Sequence, residues 1–547
     1  MEARVKYHLR IAFVAVALTA LGLSLYLTAP TAEDFSWSDA PRHALNGIFV
    51  HDLLTALPFS DPKGFAINYY LQYPALTILF YPPLFYLFLA GAYGLFGFSH
   101  AVAQATVCGF HVLLALGVYM LARRWMTVGY AISAAVLLTA APEVAYWGRQ
   151  VMLDIPAYAW LALTAWMFVR YLEQKRPAFL YLTVLLYLAA LYTKQTPLFV
   201  AGALALGLLA ERGMGALRDR HVWAAAGMFL LLLVPLVVLQ VKFGQVNIAS
   251  VAGSLRHDAP RTSAIAWVFY LEQLPRQLGW PTVILAAVYL VGAALRPDWR
   301  LPRGSFVFLL SWFCIGYLFF SYIMVREPRH DLMILLPLPI FAVLAVRQVL
   351  AGTPPVVGAS CSLALAASTL VASTWFQPVQ YVRGYDEAAR YVLKRAPEHS
   401  NVLFDGYRDG NFVFSVRAGA RHDIGVLRAD KLLLRVVIER ARGVEDRGIG
   451  EAAIEDMLRR YRVRYVVAQT GFWTDLPSTR ALQMLLGRRD RFLPVARIVP
   501  EANFPHEDME VVIYEYLGAI ADRAAPLSLE MVGIGQQFNQ KKAPQKP

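Results

Sequence analysis

Residues 305–325 read SFVFLLSWFCIGYLFFSYIMV, without one charged side chain. At about 1.5 Å per residue, a helix of this length matches the roughly 30 Å hydrocarbon core of a bilayer. Residues 11–29, 222–241 and 355–375 are equally charge-free. Further apolar blocks lie at 100–122, 155–169, 196–210, 281–295 and 332–346. The 547 residues are 58% hydrophobic and only 16% charged, against about 25% charged in a typical soluble domain. Mean hydropathy is +0.46. Such a chain cannot cover its apolar surface in water, so its fold is mainly α, a polytopic transmembrane bundle.

The net charge is +13. No basic stripe interleaved with aromatics supports a nucleic-acid partner. The basic residues instead flank the apolar blocks, as cytoplasmic loops require. Arg4, Lys6 and Arg10 precede the first block; Arg123 and Arg124 follow 100–122. Arg170, Lys175 and Arg176 follow 155–169; Arg212, Arg218 and Arg220 follow 196–210. Arg296, Arg300 and Arg303 follow 281–295, and Arg347 follows 332–346. The basic start also suits a signal peptide, but its apolar run exceeds the usual core of about 7–15 residues, so it reads as a retained helix. Placing these clusters inside puts the N-terminus in the cytoplasm and residues 30–99 outside. Block 82–97, beginning at Pro82-Pro83, then cannot cross and reads as a juxtamembrane helix. The pattern predicts about eleven spans and an extracytoplasmic C-terminus, in the inner (plasma) membrane.

The outer face collects ionisable groups. Residues 30–99 carry Glu33, Asp34, Asp39, Asp52 and Asp61, and later loops carry Arg149, Asp154 and Lys194. The loop 242–280 holds Lys242, Arg256, His257, Asp258 and Arg261, and the last loop Arg326, Arg329, His330 and Asp331. Charge at membrane depth is costly, which makes these functional candidates. The bland alternative for each is a solvated or snorkelling side chain. The cysteines Cys108, Cys314 and Cys361 all lie in apolar blocks, with no metal-like spacing and none in the soluble part.

Three regions divide the chain: a membrane module over 1–378, a soluble α/β domain over 379–518, and a disordered tail over 519–547. Residues 384–396, 450–461 and 477–487 read as helices; 401–405, 463–469, 491–499 and 510–516 read as strands. The domain has neither a Gly-rich phosphate loop nor a nucleophile motif.

Asp39-Ala40-Pro41-Arg42-His43-Ala44, with Gly47 beyond, resembles the Asp-Glu-x-Arg-Tyr-Ala signature of membrane glycosyltransferases related to aminoarabinose transferase and protein O-mannosyltransferases. Tyr81-Pro82-Pro83-Leu84 resembles their Pro-Pro-Leu element, and Gly148-Arg149 with Leu153-Asp154 their second acidic motif. Ala190-Leu191-Tyr192-Thr193-Lys194 and Pro328-Arg329-His330 with Leu336-Pro337 resemble two later motifs. The order holds over residues 1–350.

The resemblance implies a GT-C fold and transfer of a sugar from a polyprenyl-phosphate donor to an external glycan, lipid or protein acceptor, with inversion. It implies Asp39 as base or acceptor-orienting group, with Asp34 its rival, and Asp154 as second carboxylate. Arg149, Lys194, Arg329, His330 and Arg326 would face the donor phosphate, and Arg42, His43 and Tyr81 the acceptor or sugar. The chemistry suits these residue types: Lys and Arg stabilise charge growing on a leaving phosphate, and a carboxylate accepts a hydroxyl proton. The structural alternatives are an Asp154–Arg149 pair and a helix-capping Lys194.

Ala40 replaces the family's Glu, His43 and His330 replace Tyr, and Phe80-Tyr81 replaces the Glu-Lys pair of aminoarabinose transferases. No cofactor is required. His43, His51, His257 and His330 suit a divalent ion, but no spacing demands one. Two other classes stand beside the enzyme: a lipid-carrier flippase, which would place ionisable groups at the midplane, and a non-catalytic glycan-binding assembly protein.

Overall fold

The computed structural model describes residues 2–245, 248–249, 260–436, 440, 443–506, 509–531 and 534–540, with backbone alone for 2–10. Arg256, His257 and Asp258 lie outside the described residues. Two compact units emerge, one of residues 1–29, 81–85 and 104–379, the other of 30–80, 86–103 and 380–547. One division falls between residues 379 and 380, and most of the segment 30–99 belongs with the C-terminal unit.

The membrane unit carries a helix at each position where a span was expected. Among the described residues, six helices are long and apolar enough to cross on their own, or eight if each of two bent pairs is one span. The bent pairs are Val128–Thr139 with Pro142–Gly148, at 68°, and Ala264–Leu278 with Trp280–Leu295, at 117°. Helix Asp154–Gln174 is long enough, but Asp154, Arg170 and Glu173 at its ends raise its polarity. Small residues set the close crossings, as apolar surroundings favour. A Cβ on Gly207 would meet the Cβ of Phe308 at 2.7 Å, and one on Gly117 would meet that of Ala162 at 2.9 Å.

Leu84–Phe96 is a 13-residue apolar helix following Pro82-Pro83. It rises only about 20 Å, less than the thickness of a bilayer core.

In the second unit, five strands run in the order 425–428, 401–405, 463–469, 511–516, 492–498. The first three are parallel, and the last two pairings antiparallel. Val402, Phe404, Val466 and Val467 are all buried, as strands covered on both faces must be. Edge strand Phe492–Ile498 carries Pro494 beside a register shift, which blunts that edge. The predicted helices appear as Tyr385–Arg395, Glu451–Arg460 and Pro477–Leu486. Helix Asp409–Ala418 and strand Gly425–Arg428 are additions.

The tail expectation is corrected in part: Ser528–Met531 pairs antiparallel with Gln536–Asn539. Glu530 ties this hairpin down by a salt bridge to Arg435 at 3.0 Å, and its carbonyl accepts from the Tyr70 hydroxyl. Long-range pairing here overrides a polar composition that locally favours disorder.

Residues 30–80 are stitched into this unit. Asp34 N–H donates to the Val382 carbonyl at 2.9 Å in an antiparallel bridge. Phe35 exchanges two backbone bonds with the Asn411 amide, at 3.0 and 2.8 Å. Asp52 pairs with Arg417 and accepts from the Tyr69 hydroxyl at 2.9 Å.

Candidate active site

Asp154 opens helix Asp154–Gln174 and is 2% exposed. Its Oδ1 lies 2.5 Å from the ammonium of Lys194, which follows helix Pro177–Leu191. Its Oδ2 is buried and has no hydrogen-bond partner among the described residues. A buried carboxylate oxygen left unpaired is costly and calls for a ligand, water or proton. Arg329 and His330 stand near enough to act on its charge. The expected Asp154–Arg149 pair is therefore replaced by Asp154–Lys194. Lys194 retains two further N–H donors beyond this contact.

The turn carrying Arg329 and His330 is held from both sides. Arg329 Nε donates to Glu327 Oε2 at 2.8 Å, and its guanidinium lies 5.2 Å from the Trp147 ring centre. His330 Nε2 is 3.7 Å from the same carboxylate. Gln277, fully buried, donates its amide to the Pro328 carbonyl at 2.7 Å and to Asp331 Oδ1 at 2.6 Å. Gln277 thus clamps both ends of the turn from helix Ala264–Leu278. Sequence reasoning missed it, because a lone Gln near a helix end carries no motif.

Arg149 serves differently from its expected role. It is 1% exposed and donates to the carbonyls of Ala145, Ser373, Thr374 and Gln377 at 3.2, 2.7, 3.0 and 3.0 Å. It closes the C-terminal end of helix Pro355–Trp375 and has no fork left for a phosphate. Arg326, also buried, donates to the Ser321 carbonyl at 3.1 Å at the end of helix Arg303–Tyr322. Gly148 precedes Arg149 because the His111 ring fills the space a Cβ would take, 2.1 Å away. Two motifs meet directly: Leu84 N–H, after Tyr81-Pro82-Pro83, donates to the Tyr192 carbonyl at 2.9 Å. Tyr81 itself is half-buried.

In the second unit, Asp39 is the N-cap residue of helix Ala40–Ala56 and makes no side-chain cap bond. It is half-buried, so a carboxylate sits at a helix N-terminus within reach of solvent. His43, one turn on, is 1% exposed, and its Nδ1 is 2.8 Å from the Tyr86 hydroxyl. Asp39 lies near enough for its charge to act on Tyr86. Asn46 fastens the next turn, exchanging bonds with Thr77 at 2.9 and 3.1 Å. Gly47 then allows close packing on Leu89, whose Cδ2 would be 2.5 Å from a Cβ there.

Asp34 and Arg42 are committed elsewhere. Both Asp34 oxygens accept from the start of helix Tyr385–Arg395, from Tyr385 N–H at 2.8 Å and Asp386 N–H at 3.1 Å. Burial pushes its pKa up to about 7, against the lowering effect of those donors. Arg42 forks onto Asp409 at 3.0 and 3.1 Å, and Arg428 approaches the same carboxylate at 2.5 Å. Burial pushes the Asp409 pKa up, but Arg42 and Arg428 outweigh it and hold it low. Arg42 thus anchors its helix to Asp409–Ala418 rather than presenting a free fork. Among the described residues no group of three or more His, Cys, Asp or Glu could hold a metal ion.

Residues 81–239 match the family model of dolichyl-phosphate-mannose-protein mannosyltransferases. The fold is similar to that of ArnT from Cupriavidus metallidurans bound to undecaprenyl phosphate, with a TM-score of 0.62 and 14% identity over 94% of this chain and 99% of that one. It is also similar to the Archaeoglobus fulgidus oligosaccharyltransferase in its apo form, with a TM-score of 0.54 and 12% identity over 84% and 69% of the two chains. No curated protein matches by sequence. Residues 81–239 thus resemble protein mannosyltransferases in sequence, and the chain as a whole shares the fold of ArnT and of the oligosaccharyltransferase.

Proposed function

We propose that the protein moves a sugar from a polyprenyl-phosphate donor to an extracytoplasmic acceptor, in one inverting displacement. The observation that carries this reading is the buried Asp154–Lys194 pair, with an unpartnered carboxylate oxygen and Arg329 alongside. Half-buried cations where membrane helices begin suit a phosphate carried by a lipid. In the ArnT structure the bound molecule is undecaprenyl phosphate.

The acceptor oxygen attacks the anomeric carbon as the bond from that carbon to the phosphate oxygen breaks. The electron pair stays with the phosphate, which gains charge. Lys194 and Arg329 stabilise that gain. The hydroxyl proton passes to Asp39, the half-buried carboxylate that opens helix Ala40–Ala56. Asp34 is a poor rival, because both its oxygens serve the helix at 385. His43 and Tyr86 position the Asp39 turn. Asp154 orients Lys194 through their ion pair.

The test supplies the purified chain in nanodiscs with a panel of radiolabelled polyprenyl-phosphate monosaccharides and follows release of label to water or acceptor. Wild type is expected to turn over one donor, and Asp39→Asn to lose at least about 100-fold. Equal turnover in both would remove Asp39 from the mechanism. Absence of turnover and of carrier binding across the panel would defeat the assignment.

A further inference from the structure

A second basic site lies at the other end of the membrane unit. A cavity of about 500 Å3 opens between the segment 123–130 and the end of helix Leu332–Val349. Arg123, Arg124, Trp125, Tyr130 and Arg347 line it. Arg124 pairs with Glu173. Arg123 donates to the Met126 carbonyl, and Arg347 to the Trp125 carbonyl at 2.6 Å. Those bonds fix the two guanidiniums without neutralising them, and among the described residues neither has an acidic partner. Each guanidinium has five N–H donors, so most remain for a ligand. The Trp125 indole N–H is buried with no acceptor among the described residues. A buried donor of this kind ordinarily has a partner.

The location narrows the ligand. Glu173, which holds Arg124, ends the helix that Asp154 begins. Nineteen residues at about 1.5 Å each separate them by roughly 28 Å, close to the thickness of a hydrocarbon core of about 30 Å. The cavity therefore sits at the membrane surface opposite the Asp154–Lys194 pair. Trp and Tyr belong at such interfaces, and basic pockets between spans hold anionic headgroups.

We propose that this cavity binds the phosphate headgroup of an anionic membrane lipid, in the leaflet opposite the catalytic cluster. Arg123 and Arg347 clamp the phosphate oxygens, with Trp125 and Tyr130 lining the cavity beside them. Two arginines suit this task because their planar forks match phosphate geometry. The site is separate from the donor site and needs no turnover to be detected.

The test places the full chain in phosphatidylcholine nanodiscs, with or without phosphatidylglycerol of the same acyl chains. Thermal unfolding and native mass spectrometry of retained lipid are the readouts. Wild type should gain several degrees in Tm with phosphatidylglycerol and retain that lipid. Arg123→Gln/Arg347→Gln should lose both responses. Arg123→Lys/Arg347→Lys keeps the charge and controls for folding; it should retain a reduced response. An undiminished response in the double Gln variant would overturn the proposal. Inorganic phosphate giving the same shift in phosphatidylcholine alone would overturn the assignment to a lipid.

Discussion

Two arginine-bearing turns of the membrane unit, 148–149 and 326–331, look interchangeable in sequence and serve opposite purposes. Arg149 is saturated by four backbone carbonyls and the Thr28 hydroxyl, and fastens a helix end. Arg329 is held through one carboxylate and the face of Trp147, close to Asp154. The difference teaches that a buried arginine is read by its acceptors. Carbonyls absorb the fork without balancing its charge, whereas a carboxylate balances the charge and orients it.

The largest effect expected from this contrast is on folding. Arg149→Met orphans four buried carbonyls, each costing about 1–3 kcal/mol. It should abolish recovery of monodisperse protein, measured by fluorescence-detected size exclusion. Arg329→Gln should leave Tm within about 2 °C and lower turnover by about 100-fold or more. If Arg149→Lys kept its Tm and lost turnover, the contrast would fail.

A smaller effect tests the clamp on the second turn. Gln277→Leu should raise donor KM by roughly tenfold through looser placement of Arg329, with kcat changed less. Combined with Arg329→Gln it should add little, since both act through one group. Additive losses would separate Gln277 from the turn.

The smallest effect concerns pH in the second unit. Burial raises the carboxyl of Asp34 to about 7 and that of Asp405 to about 7. Between about pH 4 and 7 the fold therefore keeps protons that the unfolded chain has released. The stability from these protonated groups is greatest below the unfolded pKa and falls as pH rises through 7. Among the described residues Asp405 accepts only a long bond from Gln483, at 3.3 Å, so Asp405→Asn should flatten the decline in Tm between pH 5 and 8. An unchanged slope would count against a protonated Asp405.

Much of this was legible in the sequence. Charge-free runs located the spans, because length and hydropathy alone fix them, and the α/β helices and strands showed their own periods. The pairing of Ser528–Met531 with Gln536–Asn539 was not legible, since it depends on Arg435, nearly a hundred residues away. For the proposed chemistry, motif order offers Asp39, Asp154, Lys194 and Arg329 as candidates. It gave no way to separate Arg149 from Arg329, or Asp34 from Asp39. Those distinctions rest on partners distant in the chain: Thr374 for Arg149, and Tyr385 for Asp34.

The antiparallel bridge between Asp34 and Val382 has a topological consequence. Two backbone segments that hydrogen-bond to each other in one folded unit occupy the same side of a membrane. The chain between residues 29 and 380 must then cross an even number of times, whatever the tilt or length of any helix. Counting Leu84–Phe96 as one more crossing reverses the parity and would put Asp34 and its bonding partner in different compartments.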